Sequence, residues 1–554
     1  MAHAHDPSGP RAHPRAQEHL RRRGVDLRDP AAHRDHHAAS RRGFLRTAGL
    51  TALGTAFGLG GGQRAFAMQD GPLMRALNDS DCGDRVLVLV RLKGGNDGLN
   101  TVIPHTNDTY FNIRPTLAYG PGERWNLDGD FAMPNELQPL RAMWQADQMR
   151  IVHNVGYPEA NYSHFRSSDI WASASDSDTV ERTGWLGRLL EYQYEGYAEA
   201  PPVVPPALQI GVQANLLFQG RQGNLALALS SPSEFYQVAT TGQLYELGAP
   251  AGPGPSGDEL RYVRSIANSA FRYAGTIREH YLAGRNEVDY ADDTLSEQLG
   301  IVSRLIKGGL GTKLYLVSID GFDTHADQAA GHPDLLRAVG DGVSTFFEDL
   351  RAAGHSERVL AMTFSEFGRT IFENGSAGTD HGTSAPVLVF GDEVGQGYVG
   401  DPIDIDTVDQ YGDPYFETDF RGLYASVLED WLCVDPEVID KTLGAAHARV
   451  PGVFPGGTEA APWRGEVGLL GYQRDPNHPR IYAVKYASAE GGPLRLTLQT
   501  PQGRVVRTLV DGSVPAGSYT YTLAGDALGL RAGAYVLELA VGGRRYRRVF
   551  GYGE

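Results

Sequence analysis

Five short runs of branched apolar residues, each bordering on glycines, acids or histidines, restrict this chain to a layered α/β architecture. They are Arg85–Lys93, Met149–Val155, Lys313–Ile319, Arg358–Phe364 and Pro386–Phe390. Runs without polar alternation read as strands buried on both faces. Between them lie helical patterns. Leu335, Leu336, Val339, Val343, Phe346, Phe347 and Leu350 recur at helical spacing across Asp334–Gly354,. Thr294 and Glu297 read as a capping box ahead of Leu295, Leu299, Val302, Leu305 and Ile306,. The alternation predicts a mostly parallel sheet clad in helices, with ligands gathered beyond the carboxyl ends of its strands.

Those strand edges carry chemistry. The first run ends in Gly94-Gly95-Asn96-Asp97-Gly98, the third in Asp320-Gly321-Phe322-Asp323-Thr324-His325, and the fourth in Ser365-Glu366-Phe367-Gly368-Arg369-Thr370. Thr379-Asp380-His381-Gly382-Thr383 precedes the fifth. A turn-forming or capping role would explain any one acid alone. Together, ionised carboxylates and neutral imidazoles from separate loops are what a divalent metal requires. With imidazoles in the set, zinc or manganese fits better than calcium, and about one ion per chain is expected. No segment calls for a nucleotide cofactor.

The second run leads to Tyr157-Pro158-Glu159-Ala160-Asn161-Tyr162-Ser163-His164-Phe165-Arg166 and a helix through Trp171. Ser163 is placed at that helix's N-terminus, as a nucleophile facing developing negative charge or simply as a cap. His164 is open to three readings: ligand, base or packing residue.

The N-terminus belongs to export rather than to the fold. Ser40-Arg41-Arg42-Gly43-Phe44-Leu45-Arg46 has the twin-arginine pattern, an apolar stretch Thr47–Gly60 follows, and Ala65-Phe66-Ala67 offers a cleavage site before Met68,. A basic loop before a buried helix is the alternative. The stretch is too short and glycine-rich to span a bilayer. Residues 1–67 hold eleven arginines against five acids, so the net charge of −17 conceals −23 on the remainder. So acidic a surface repels nucleic acid. Cys82 and Cys433 stand 351 residues apart; they could pair in an oxidising compartment, and two unpaired structural cysteines are the slightly preferred reading.

Taken in order, Gly94–Asn100, Ser163-His164-Phe165, Gly321–His325, Ser365–Thr370 and Asp380-His381-Gly382 resemble the bacterial family known as domain of unknown function 1501. The resemblance covers about residues 40–455, twin-arginine leader included. It implies kinship with the alkaline phosphatase and sulfatase superfamily, whose α/β core binds metals and hydrolyses phosphate or sulfate esters. By that resemblance, Asp97 would be the acid after the first strand and Ser163 would mark the nucleophile region. Asp323 with His325 would form the first metal pair, Glu366 would stand in the second-metal doublet, and His381 would be the late imidazole ligand; Asp380 adjoins it. The spacing departs from that superfamily, because Asp323 and His325 lie only two residues apart and Phe367 follows Glu366 where an imidazole is expected.

From Gly456 to about Gly468 the composition reads as a linker,. Six alternating segments follow, Arg480–Tyr486, Leu494–Thr500, Val505–Leu509, Ser518–Leu523, Gly533–Val541 and Arg544–Phe550, with glycine-bearing turns between them. They predict a small all-β sandwich over 469–554. Gly503–Gly512, Pro515–Tyr519 and Gly533–Leu537 resemble Ig-like domains of the flagellar hook-capping type and the C-terminal sorting domains of type IX secretion. An accessory sandwich without an address function fits equally well.

The combined expectation is a leader over 1–67, an alkaline phosphatase-like α/β domain over 68–455 and a sorting or docking sandwich. The protein would be exported through the twin-arginine translocase, with type IX machinery as a second candidate partner, to the periplasm, the cell surface or the exterior. Ser163 would attack a sulfate or phosphate ester with His164 beside it. Asp97, Asp323, His325, Glu366, Asp380 and His381 would hold the metal, and Arg166 or Arg369 would clamp the anion. The alternative is an exported surface or assembly protein that keeps the fold without the reaction.

Overall fold

The computed structural model describes residues 82–552, apart from 195–196, 198–200, 212–213, 222, 241–244, 246–254, 410–411, 457–467, 475–479, 489–491, 515–516 and 525–527. The expected leader and most of the expected linker therefore lie outside the described residues. The chain divides into two compact units, the first holding residues up to 156, 160–417 and 431–433, the second 157–159, 418–430 and 434–554.

The first unit is built on strands β1 (Val86–Lys93), β2 (Met149–Gly156), β3 (Ala207–Ile210), β4 (Ala226–Leu229), β5 (Leu314–Asp320), β6 (Val359–Phe364), β7 (Ala385–Phe390) and β8 (Gly397–Val399). They lie in the order β8-β2-β7-β6-β1-β5-β3-β4. Pairing is parallel throughout except at β7, which runs against both β2 and β6. The expected mostly parallel α/β sheet is present. The reversal of β7 matters for the site, because its N-terminal end falls at the edge where its neighbours finish.

β1 is buried along nearly its whole length, which is why its sequence shows no polar alternation. Val86, Val88 and Val90 belong to one core with Leu299, Val302 and Leu305 of helix α2 (Thr294–Lys307) and Leu336, Val339, Val343 and Phe346 of α3 (Gln328–Ala352). Fully burying side chains of this size stabilises by roughly 1.5–3 kcal/mol each. α1 (His164–Ser173) precedes both.

Two helix starts differ from expectation. Asp293, not Thr294, caps α2, its carboxylate accepting from the Leu295 and Ser296 amides at 2.9 Å each. α3 begins six residues before Asp334 and contains Pro333. Its first turns look polar, yet Gln328 and His332 are buried there, bonded to Asp97 (2.5 Å) and Asn96 (3.0 Å).

The cysteines are also corrected: Cys82 and Cys433 form a disulfide, with Cα atoms 6.2 Å apart. Arg85 explains the encounter. Its guanidinium stands 4.6 Å from the centre of the Trp431 ring and donates to the Trp431 carbonyl at 3.1 Å. The Trp431 indole in turn donates to the Val86 carbonyl at 3.0 Å. Residue 433 is thereby held near the start of β1, which sequence separation conceals.

The second unit contains a C-terminal antiparallel β region of two sheets. One orders β9 (Gly468–Arg474), β10 (Ile481–Ser488) and β13 (Gly517–Ala524). The other runs β12 (Val505–Val514), β11 (Gly492–Gln499), β14 (Gly533–Val541) and β15 (Arg544–Tyr552). Leu494, Leu496, Leu498, Leu537, Leu539 and Phe550 share a buried core with Tyr482 and Val484. Among the described residues there are seven strands rather than six, the addition being β9.

Candidate metal centre

β1, β2, β5 and β6 finish at one edge, and β7 starts there. Asp323 and His325 follow β5, Glu366 follows β6, Ser163 and His164 follow β2, and His381 precedes β7. Close approach of these loops depends on Gly94 and Gly95. A Cβ on Gly94 would lie 2.4 Å from the Asp323 amide nitrogen, and one on Gly95 would lie 2.5 Å from the Phe367 ring. Both glycines have positive φ, 125° and 85°,.

Three imidazoles surround the half-exposed Asp323 carboxylate. His325 Nε2 and His381 Nε2 each lie 3.2 Å from Asp323 Oδ1, and His164 Nε2 lies 3.3 Å from Oδ2. His325 Nε2 and His381 Nε2 are 2.9 Å apart. The opposite nitrogens are all occupied. His164 Nδ1 donates to Glu366 Oε1 at 3.0 Å, His325 Nδ1 to Asp380 Oδ1 at 3.1 Å, and His381 Nδ1 to the Tyr162 carbonyl at 2.9 Å. Carboxylates and carbonyls only accept, so each Nδ1 carries a proton, and each Nε2 either donates to Asp323 or, once deprotonated, offers its lone pair to a cation at the centre.

This arrangement fits a divalent ion. Four ligands bonded at about 2.0–2.1 Å in tetrahedral geometry stand about 3.3 Å from one another. His164, Asp323 and His381 offer ligand atoms that all lie within 4.8 Å of one another, and His325 Nε2 adjoins this group 3.2 Å from Asp323 Oδ1. His164 Nε2 is shielded from solvent and faces Asp323 Oδ2 at 3.3 Å. Nδ1–H bonds to carboxylate or carbonyl are the usual outer support of metal-binding histidines.

Electrostatics agree. Burial works to raise the Asp323 pKa, but hydrogen bonds from His164, His325 and His381 and the Arg369 charge hold it well below the ordinary carboxylate range. Burial works against a charged His164, yet Asp323 and Glu366 prevail and lift it to about 9. Glu366 is almost wholly buried and its pKa is lowered. Burial opposes that shift, which the His164 hydrogen bond and the charge of Arg91 bring about.

Several expected site residues stand outside this cluster. Asp97 is fully buried in an ion pair with Arg114 (2.5 Å) and also accepts from Gln328. Glu366 and Asp380 stand behind the imidazoles, where they accept from His164 and His325. Asp380 Oδ1 is steadied by Asn374 Nδ2 at 3.2 Å, which also donates to the His325 carbonyl at 2.9 Å. Neither arginine is free to clamp an anion. Arg369 is buried and donates to the carbonyls of Gly94, Gly95, Phe322 and Thr379 and to Asp323. Arg166 donates to the carbonyls of Asp176, Ser177 and Thr179.

Ser163 occupies the N-cap position of α1, but its hydroxyl makes no capping bond. Its amide donates to Asn161 Oδ1 at 2.9 Å. Phe367 fills the space beside the imidazoles, its ring centroid 4.2 Å from that of His381 and 4.9 Å from that of His164. Arg114, Asn374, Gln328 and the Tyr162 carbonyl were not singled out by sequence. A carbonyl carries no residue-type signal, and polar side chains that become buried look like surface residues.

No helix among the described residues is long and apolar enough to cross a membrane. No curated protein matches the chain. Among solved structures it is similar to the PsFucS1 sulfatase from Pseudoalteromonas sp., at 12% identity over 82% of this chain and 88% of that one, with a TM-score of 0.33. A protein in the alkaline phosphatase superfamily from Vibrio parahaemolyticus shares 9% identity over 89% and 90% of the two chains, TM-score 0.32. The phosphonate monoester hydrolase SpPMH from Silicibacter pomeroyi shares 11% over 85% and 90%, TM-score 0.29. Residues 256–420, which carry Asp323, His325, Glu366 and His381, match the family model described as "Protein of unknown function (DUF1501)".

Proposed function

We propose that this chain is an exported, metal-dependent hydrolase-type protein whose centre holds one divalent ion through His164, His325, His381 and Asp323. One observation carries the assignment: three Nε2 atoms converge on one carboxylate while all three Nδ1 atoms are held by acceptors. A bound ion would act as a Lewis acid on an ester oxygen and lower the pKa of a coordinated water. The chain's own contribution is orientation. Glu366, Asp380 and the Tyr162 carbonyl fix the rings, and Arg369 ties the Gly94-Gly95 loop to Asp323. Ser163 heads α1 with its hydroxyl uncommitted, next to amides that have no partner within the helix. It is the candidate nucleophile towards a sulfate or phosphate ester, a substrate class taken from the motif resemblance and from the sulfatase and phosphonate hydrolase similarities. Export by a twin-arginine route, and an Ig-like sorting or docking role for the sandwich, complete the reading.

A second reading is favoured by one observation. Both candidate anion-binding arginines are engaged by the protein itself, as befits a chain that keeps the metal centre without turnover. Metal content of freshly purified protein, followed by assay against p-nitrophenyl sulfate and p-nitrophenyl phosphate, separates the two. Turnover that disappears in His381→Ala supports the enzyme. A loaded protein inert towards both esters supports the second reading, and a chain that takes up neither zinc nor manganese defeats the proposal.

A further inference from the structure

The chain carries a net charge of −17, but residues 468–554 hold eleven lysines and arginines against six acids. Three of the eleven, Arg495, Arg545 and Arg547, share one face with the acids Glu538 and Asp511, the latter 3.3 Å from Arg495. Strand register places three rungs on the outer face of the β12-β11-β14-β15 sheet, opposite its leucine core. The rungs are Val505–Gln499–Val536–Val549, Thr508–Thr497–Glu538–Arg547 and Asp511–Arg495–Ala540–Arg545.

The rungs are organised around an acid. Glu538 is nearly buried although it lies on the outer face, and it accepts from Arg547 Nε and, at 3.4 Å, from Arg545 Nη1. Its pKa is lowered: burial is the largest single influence and works to raise it, but the bonds from Arg547 and Gln499 and the charges of Arg547 and Arg545 together outweigh it. One carboxylate thus sets two guanidiniums side by side while their side chains stay 62% and 69% exposed. Residues at alternate positions of a strand lie about 6.6 Å apart, so Arg545, Arg547 and Val549 form a straight row along β15. Val549 and Val505 are 67% and 50% exposed at the two edges of the apolar rung.

We propose that this face binds an anionic polysaccharide bearing sulfate or carboxylate groups. Guanidinium forks match such oxyanions bidentately. The exposed valines offer apolar surface to the faces of the sugar rings. A flat, ruled face suits a linear polymer laid across it better than a small ion, which favours a pocket. Single-stranded nucleic acid would call for aromatic platforms, and no rung carries an aromatic residue. The proposal rests on the sandwich alone and is independent of the metal centre.

The test uses the full-length chain with dextran sulfate as the probe and uncharged dextran as its control. Dextran sulfate should bind, more weakly as salt rises, while dextran should not. The Arg545→Gln/Arg547→Gln pair should lose about tenfold or more in affinity. Arg545→Lys/Arg547→Lys keeps the charge over Glu538, and it should fall between the two. Val549→Ser should weaken binding without changing the salt dependence. Equal binding of both polymers, or full affinity in the Gln pair, overturns the proposal. So does low-salt self-association that the Gln pair abolishes while dextran sulfate binding persists, which would make the face a docking site for a second copy.

Discussion

His325 Nε2 and His381 Nε2 stand 2.9 Å apart while the proton of each ring is held on the other nitrogen by Asp380 and the Tyr162 carbonyl. Two lone pairs brought that close repel, and a cation between them removes the conflict. Chelator-treated protein should therefore take up about one zinc or manganese per chain and gain melting temperature. A ligand present at a thousand times its Kd stabilises by about 4 kcal/mol. His381→Ala should lose occupancy and stabilisation together. Isothermal titration and thermal scans decide; unchanged uptake in the variant refutes the assignment.

Glu366 acts on the metal through His164. Glu366→Gln preserves shape but allows an amide N–H to face Nδ1, disturbing the tautomer that points Nε2 inward. Metal affinity should fall about 10–100-fold, the usual range for outer partners of ligating histidines. Cobalt substitution supplies the discriminating signal, because a merely structural role would leave the visible spectrum of the loaded protein unchanged.

Ser163→Ala separates the nucleophile from the metal. Ion uptake and melting temperature should match the parent, since the hydroxyl does not cap α1. Any ester turnover should disappear. Turnover that survives the change would assign the attack to a water molecule.

Asp349 offers a pH test away from the metal. It is buried between α2 and α3 and pairs with Lys307 at 2.6 Å and Ser303 at 2.5 Å. Burial works to raise its pKa, but these partners bring it below the ordinary value. A lowered folded pKa means stability present above the unfolded value, about 3.9, and lost as pH falls through the folded one. Asp349→Asn should flatten the acid limb of a urea-midpoint profile. At neutral pH it should cost about 3–5 kcal/mol, because Lys307 is left buried without its counter-charge. An unaltered acid limb would show that the pair does not govern acid stability.

The Cys82–Cys433 bridge closes a loop of 351 residues. In the chain-entropy account so long a loop is worth about 6 kcal/mol. Cys433→Ser should unfold at markedly lower urea, and reductant should bring the parent down to the same midpoint. A midpoint that ignores reductant would contradict a bridge that stabilises the folded chain.

Much of the parallel sheet was readable because strands such as Leu314–Asp320 are buried on both faces and so are continuously apolar. Two four-residue strands, Ala207–Ile210 and Ala226–Leu229, are too short to leave a pattern. The loops bearing Asp323, His325 and His381 were legible by residue type. What remained hidden was which carboxylates face inward. Asp97 looks like a ligand until Arg114, seventeen residues away, is seen to neutralise it. Glu366 and Asp380 differ from Asp323 only in which side of an imidazole they meet. That is a matter of ångströms, and spacing along the chain does not encode it.

The covalent bond between Cys82 and Cys433 makes residues 82–433 a closed ring, with the C-terminal sandwich attached outside it by a single strand of chain. A protease that nicks any one loop of the ring leaves a molecule of unchanged mass until reductant is added. One cut between residues 457 and 467 instead breaks the covalent link between the ring and the sandwich, with or without reductant. Under non-reducing conditions, the fragments from limited digestion therefore reveal on which side of residue 433 each cleavage fell.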